Sequence, residues 1–434
     1  MEFGSLNPSR ATVEGFPEWL CSQRVGAAQR LAAAERPDPT LEEWRYSEID
    51  RLDPESLDTG PRPVPGTGNE HLDRAAMRST LLGEAAGRIL SVDGRVGSVH
   101  LDAVVAARGV RFGLLADEPQ PVGGHHVEVT VGSSEATSSV DPFSLLNLAY
   151  GDDPLVLRVP RGEVVEHPLH VVHRVVGRDV LIAPRLVVEV GEQAEVHVVE
   201  WLAGPGDGSL VVPRHEIVLG RGARLKLVTV NVLGQGVDLL GETAFDVGQE
   251  ATVQHHHIAL GGRYARTRVD CRLTGRGAGA KLSALYVGDE HQMHDLRTFQ
   301  THEAPDTTSE LRFKGVLDDA AHAVYTGTIR VDPEGRGSNA EQSNRVIKLS
   351  PDTWAESVPN LEIHHNDVRC AHATAVGPID ADQRFYLESR GVDPATAERL
   401  VVNGFFEDVV SGIDLGNVAT EIAPLIAAKL GAGS

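Results

Sequence analysis

The chain has 434 residues, enough for a large core and two or three domains. Its 40 Lys and Arg against 62 Asp and Glu leave a formal charge of −22, which argues against general nucleic-acid or anionic-membrane binding and in favour of protein partners. The three widely spaced cysteines, Cys21, Cys271 and Cys370, make no disulfide framework, and no apolar run approaches the roughly 18 residues that span a bilayer.

The first six residues lack the basic and apolar stretches of a signal peptide, so a cytoplasmic location is expected. Residues 11–50 read as helical, with Ala27, Ala28 and the run Leu31 to Ala34 favouring a helix. A turn-rich linker covers 58–69, and a second helix is expected over 72–87. Strand character begins at Ile89-Leu90-Ser91-Val92 and turns at Asp93-Gly94. From about 125, short β-rich runs alternate with Gly-centred turns, and no long helix is expected before about 380.

One pattern recurs in this stretch: an apolar strand, Gly-x-x-Ala, then another apolar strand. It starts at Gly191, Gly220, Gly248 and Gly275, with spacings of 29, 28 and 27 residues. Flanks such as Leu186, Val188 and Val190 alternate with period two. A near-constant period of this size predicts a β-solenoid with the four turns stacked along one edge. An ordinary β-sandwich with evenly spaced hairpins is the alternative. Later turns fall at 301–308 and 332–338. Helical pattern returns at Phe385, Asp393 and Pro394 open a helix as N-cap and first residue, and Ile422–Leu430 reads as a terminal helix. The chain thus divides into an N-terminal helical domain (1–95), a β core (96–384) and a C-terminal helical domain (385–434), a mainly β fold.

The chain has no phosphate-binding Gly-x-x-x-x-Gly-Lys motif, no Gly-x-Ser-x-Gly elbow and no Cys-x-x-Cys. With three cysteines, it cannot hold a permanent all-cysteine iron–sulfur cluster alone. His255-His256-His257 alternates in a strand, which suits partly exposed histidines better than three ligands to one ion. His291 and His294 fall near a loop, His364-His365 alternates in the same way, and Cys271 reads as a small core residue. Cys370 and His372 differ, because residues i and i+2 of a strand share a face. A thiolate and an imidazole there can bind iron, copper or zinc, or relay sulfur. A buried thiol beside a hydrogen-bonded histidine is the simpler alternative.

Around this pair the chain reads Leu361-Glu362-Ile363, Asp367-Val368-Arg369-Cys370, His372-Ala373-Thr374-Ala375-Val376-Gly377, Ile379-Asp380 and Phe385-Tyr386-Leu387-Glu388-Ser389-Arg390-Gly391. Upstream lie Glu43-Trp44-Arg45-Tyr46-Ser47, Phe143, Leu146-Asn147, Pro168-Leu169-His170, Gly315-Val316-Leu317, Gly327 and Gln342-Ser343-Asn344. Together and in this order they resemble the SufB/SufD family of scaffold subunits of the SUF iron–sulfur cluster assembly system. Within it they resemble the SufD branch. The resemblance implies a right-handed parallel β-helix between helical end domains, without catalytic activity of its own. It places His372 at a cluster-assembly interface with SufB, as the residue that meets metal, and Cys370 beside it. The resemblance implies that the cluster is transient cargo and that none is permanently bound. In SufB a glutamate follows the matching histidine, whereas Ala373 follows it here. SufD chains commonly read Ser-His-Gly where this one reads Ala371-His372-Ala373. The resemblance also implies that the C-terminal helices, with Phe385, Tyr386, Leu387, Ser389, Arg390, Gly391, Gly404 and Phe405, bind a SufC-like ABC ATPase. The implied partners are a SufB-like paralogue and that ATPase, with a homodimer for the isolated chain. A β-helix carbohydrate-active lyase or hydrolase is the alternative function, and its need for paired carboxylates and aromatic platforms sits poorly with 5% aromatic residues. A homodimeric solenoid without chemistry is a third reading.

Overall fold

A computed structural model describes residues 11, 13–35, 37–41, 44–54, 56–58, 84–122, 141–413 and 418–430. Among them the chain forms 21 strands and six α-helices. Helix α1 (Glu18–Ala32) comes first. Strands β1 (Gly87–Val92) and β2 (Arg95–Leu101) pair antiparallel about Asp93-Gly94, where the sequence predicts a turn. Helix α2 (Ala103–Ala107), strand β3 (Arg111–Leu114) and helix α3 (Pro142–Tyr150) follow.

The coil then runs through β4 (Leu155–Val159), β5 (Leu169–Arg174), β6 (Leu181–Ile182), β7 (Arg185–Val190), β8 (Glu195–Gly204), β9 (Leu210–Val211) and β10 (Arg214–Leu219). It continues through β11 (Arg224–Leu233), β12 (Asp238–Val247), β13 (Thr252–Ala259), β14 (Tyr264–Leu273), β15 (Gly279–Gly288) and β16 (Met293–His302). The last strands are β17 (Thr308–Leu317), β18 (His322–Val331), β19 (Asn339–Lys348), β20 (Trp354–Ile363) and β21 (Arg369–Pro378). Helices α4 (Ala381–Ser389), α5 (Pro394–Val410) and α6 (Val418–Lys429) close the chain.

From β11 onward each strand pairs in parallel with the strand two further along the chain, which produces two facing sheets. One sheet runs β2-β1-β5-β8-β11-β13-β15-β17-β19-β21, and the other β20-β18-β16-β14-β12-β10-β7-β4-β3. This is the parallel β-solenoid that the repeat spacing predicts, spanning Leu155 to Pro378.

The Gly-x-x-Ala corners explain themselves sterically. A Cβ on the leading glycine would lie 2.6 Å from the Arg161 nitrogen at Gly191, 2.6 Å from the Leu219 oxygen at Gly248 and 2.0 Å from the Gln249 nitrogen at Gly275. The third residue of each corner is left-handed: φ is 57° at Gln193, 66° at Gly222, 56° at Glu250 and 72° at Gly277. The alanine points inward and is buried in all four. Each corner donates to the rung below, as in Gly220 N–H to Val190 O (2.8 Å) and Gly248 N–H to Leu219 O (3.0 Å). The four turns therefore stack along one edge.

Several expectations change. Among the described residues of 11–51 there is one α-helix, α1, and a short 3-10 turn (Ile49–Arg51). Pro37 and Pro39 stop the helical pattern between them. Of the helix expected over 72–87, residues 72–83 lie outside the described residues, and Gly87 opens a strand. Most of the 58–69 linker and Glu43 lie outside them too. The first sheet begins at Gly87, inside the segment assigned to the N-terminal helical domain, and α4 begins four residues before 385. Helix α3, nine residues, is a short helix in the stretch where no long helix was expected.

The outer sheet faces are covered. Helices α5 and α6 set Val402, Phe406, Val409, Ile422 and Ile426 against Val228, Val230, Ile258 and Leu285 of the first sheet. Helix α3 and the Trp44 segment cover the second sheet over Leu240, Tyr264, Met293 and Val324. Among the described residues no helix is long and apolar enough to cross a membrane.

Candidate functional site

The coil ends on a rung with no further strand beyond it among the described residues. β20 and β21 are the last strands of their sheets. In β19 the alternate residues Ala340, Gln342, Asn344 and Val346 are buried and face the interior. Cys370, His372, Thr374 and Val376 pair with them in register and share that side. Cys370 and His372 thus lie on one face, as their spacing predicts, and His372 sits directly over Gln342 at the open end.

The two side chains differ in environment. His372 is exposed. Cys370 is half-buried against Ile329, Val331 and Ala340, and burial pushes its thiol above the ordinary range. At neutral pH it is a thiol rather than a thiolate, a poorer ligand and nucleophile. Leu361, Ile363 and Val376 add exposed apolar surface to the same rung. Its turn carries His364, exposed, and His365, whose Nδ1 accepts the Asp367 N–H at 3.0 Å. Among the described residues, no three His, Cys, Asp or Glu side chains are grouped to hold a metal ion. His372 alone is an incomplete ligand set for a metal ion.

Behind the open rung the interior is unexpectedly polar. Ser91 Oγ meets His173 Nδ1 at 2.6 Å, and His173 Nε2 lies 3.2 Å from Glu200. Glu200 also meets His215 Nε2 at 2.7 Å, and His215 Nδ1 meets Thr243 at 2.8 Å. Burial alone would raise the Glu200 carboxyl, but His215 and His173 outweigh it and hold it well below the usual carboxylate range. Further along, Thr229 bridges His255 (3.1 Å) and His257 (2.8 Å). Thr298 meets Tyr325 at 2.9 Å, and Tyr286 donates to Asn344 at 3.2 Å. Asn344 in turn donates to Ser357 of β20 at 3.3 Å.

This arrangement corrects the reading of His255-His256-His257 as partly exposed. All three are buried. His255 and His257 face the interior, while His256 lies on the opposite face and bonds Ser283 at 2.6 Å. Burial drives His255 well below the ordinary histidine range and takes His256 and His257 to about 4, so none carries charge at neutral pH. His294 is a core residue of β16 rather than a loop ligand, and Cys271 is a core residue as expected. The polar interior was missed because its residues are scattered through separate repeats. Only alternation counted rung by rung would have revealed it.

A second exposed feature lies on α4, which buries none of its side chains. Phe385 is 70% and Tyr386 58% exposed, and Leu400 of α5 is exposed too. Arg390 lies 5.2 Å from the Tyr386 ring, and Ser389 donates to the Tyr386 carbonyl at 2.8 Å. Leu387 is half-buried. Gly391 ends α4 in the left-handed conformation (φ 87°), as a helix C-terminus favours. Asp393 caps α5 by accepting the Thr396 N–H at 3.0 Å. Phe405 turns back toward the core: the Lys314 ammonium lies 4.8 Å from its ring and donates to its carbonyl at 2.6 Å. Gly404 has open space where a Cβ would sit.

Residues 173–405 match the family model described as SUF system FeS cluster assembly, SufBD core domain. The chain is similar to an iron–sulfur cluster assembly SufBD family protein of Mycobacterium leprae, 33% identical over 50% of this chain and 57% of that one. It is 31% identical to a SufBD family protein of Mycobacterium tuberculosis, over 63% of this chain and 70% of the relative. It is 26% identical to the iron–sulfur cluster assembly protein SufD of Escherichia coli, over 64% and 67%.

Proposed function

The chain belongs to the SufBD family of the SUF iron–sulfur cluster assembly system, and from that premise we propose that it is a SufD-like scaffold that pairs with a SufB-like subunit through its open rung. The observation that carries this reading is the placement of His372 on the inner side of an exposed terminal strand. A strand edge presents unpaired N–H and C=O groups that a second chain can extend. A partner docked there meets the imidazole of His372 with its own ligands. Each subunit alone holds an incomplete set, so the assembled cluster is bound weakly enough to be passed on. Only a neutral imidazole has a free ring nitrogen to offer iron. Cys370 is secondary in this reading, because burial keeps it protonated. We also assign the coil the right hand, the sense parallel crossovers adopt.

The chain is not itself the motor in this reading. An ABC-type ATPase of the SufC kind docks on the exposed face of α4 around Phe385 and Tyr386, and its nucleotide cycle moves the paired subunits. Helices α5 and α6 serve instead as its base, held to the first sheet by their apolar face. They fill a side face that a carbohydrate-active solenoid would leave as a groove.

Co-expression with the SufB-like and SufC-like subunits, followed by iron and sulfide analysis, tests the proposal. His372→Ala lowers cluster content while the complex still assembles. His372→Asn retains hydrogen bonding but is a poor iron ligand, and full cluster content in this variant would refute coordination. Phe385→Ala with Tyr386→Ala disrupts no core packing and weakens ATPase binding by about 30-fold or more if these rings are binding hot spots.

A further inference from the structure

The Trp44-Arg45-Tyr46 box takes no part in the function proposed above, yet its three residues reach three different levels of the second sheet. The Trp44 ring is buried, with the Arg266 guanidinium of β14 4.0 Å from its centroid. The Arg45 carbonyl accepts from Arg297 Nη2 of β16 at 2.7 Å. Tyr46 packs on Trp354 of β20, with ring centroids 5.6 Å apart. Trp354 in turn meets His322 of β18 edge-on at 5.7 Å. The box thus runs up the outer face of the stack and ends on the terminal strand.

Two features set Tyr46 apart. It adopts φ 65°, a left-handed conformation that side chains other than glycine rarely take. This conformation turns its ring onto the last rung. The residue also remains 38% exposed. Trp354 and His322 are register partners on the outward face. A strand added beyond β20 would set its own side chain about 5 Å from Trp354, on the side where Tyr46 stands.

We propose that the box is a bracket that positions the pairing edge: Tyr46 holds Trp354 and forms the outer side wall of the surface that receives the partner's first strand. The second half of this statement rests on the open-rung reading of the function. Tyr46 is a positioning residue and touches no cluster. The box keeps β20 flat and in register before the partner arrives, so less order must be gained on pairing.

Two measurements on Tyr46→Ala and Tyr46→Phe test this. Amide exchange of β20 in the isolated full chain is compared with that of β14, and the dissociation constant is measured against the co-purified SufB-like subunit. Tyr46→Ala should speed exchange at the β20 amides about tenfold or more with β14 unchanged, and should weaken pairing roughly tenfold. Tyr46→Phe keeps the ring and should restore both. Unchanged β20 exchange in Tyr46→Ala overturns the bracket. Faster exchange with wild-type pairing overturns the side wall. Leu361→Lys with Val376→Lys is the separate control for the open rung. Wild-type pairing in that variant defeats the open-rung reading, while the exchange measurement still decides the bracket.

Discussion

Lowering the pH should unfold this protein well before its carboxylates titrate. His170, His256, His257, His294 and His302 are each held near 4 against an ordinary value of 6.5, with burial the largest cause in every case. A folded-state pKa below the unfolded one means that the unfolded chain binds protons first. Stability is therefore full above about 6.5 and falls as pH drops toward 4. Between pH 7 and 5.5 each histidine costs about 1.2 kcal/mol by linkage, and the five together about 6 kcal/mol. That is comparable to the whole stability of a typical domain, about 5–15 kcal/mol. Glu200 has the same sign, since its depressed carboxyl loses stability only once the pH passes below its unfolded value. Urea melts at pH 7.5, 6.5 and 5.5 followed by far-ultraviolet circular dichroism measure the effect. A midpoint unchanged between pH 7 and 5.5 would show that these imidazoles are solvated, and the packing argument would fail.

Gly275→Val should cost ~3 kcal/mol or more, because a Cβ there falls 2.0 Å from the Gln249 nitrogen. Gly404→Ala, with open space around it in the middle of α5, should instead gain ~0.5–1 kcal/mol; paired thermal melts compare the two. Cys370 should react with iodoacetamide more slowly than an unburied cysteine at pH 7.5, since burial raises its thiol. Alkylation at the rate of free cysteine would show a thiolate there.

The coil was legible because its corners are sterically exacting. Only glycine fits at Gly191, Gly248 and Gly275, and the intervals between such residues survive in any sequence. The shared face of Cys370 and His372 was legible for a similar reason, since it follows from strand geometry alone. What lies over a strand does not follow from that strand. His256 is buried because the apolar face of α5 and α6 closes over the first sheet, and α5 begins 138 positions later in the chain. Arg266 and Arg268 alternate as a solvated strand face would, yet Trp44 and Phe299 cover them. The ends of the N-terminal helix were obscured because Ala-rich propensity runs on past Ala32 until prolines and packing intervene.

Repeats of near-equal length carry a risk that the polar interior removes. A lumen lined only with Val, Leu and Ile would let one coil slide two residues against the next and keep its apolar side inward. The same sliding would let a rung pair with the wrong neighbour during folding. Glu200 between His173 and His215 has no equally good arrangement after such a slip, and neither does Thr229 between His255 and His257. A displaced rung would strand a buried carboxylate or imidazole, at a cost of several kcal/mol. At these levels the interior hydrogen bonds thus act as a key, so that each of these coils recognises its own neighbour.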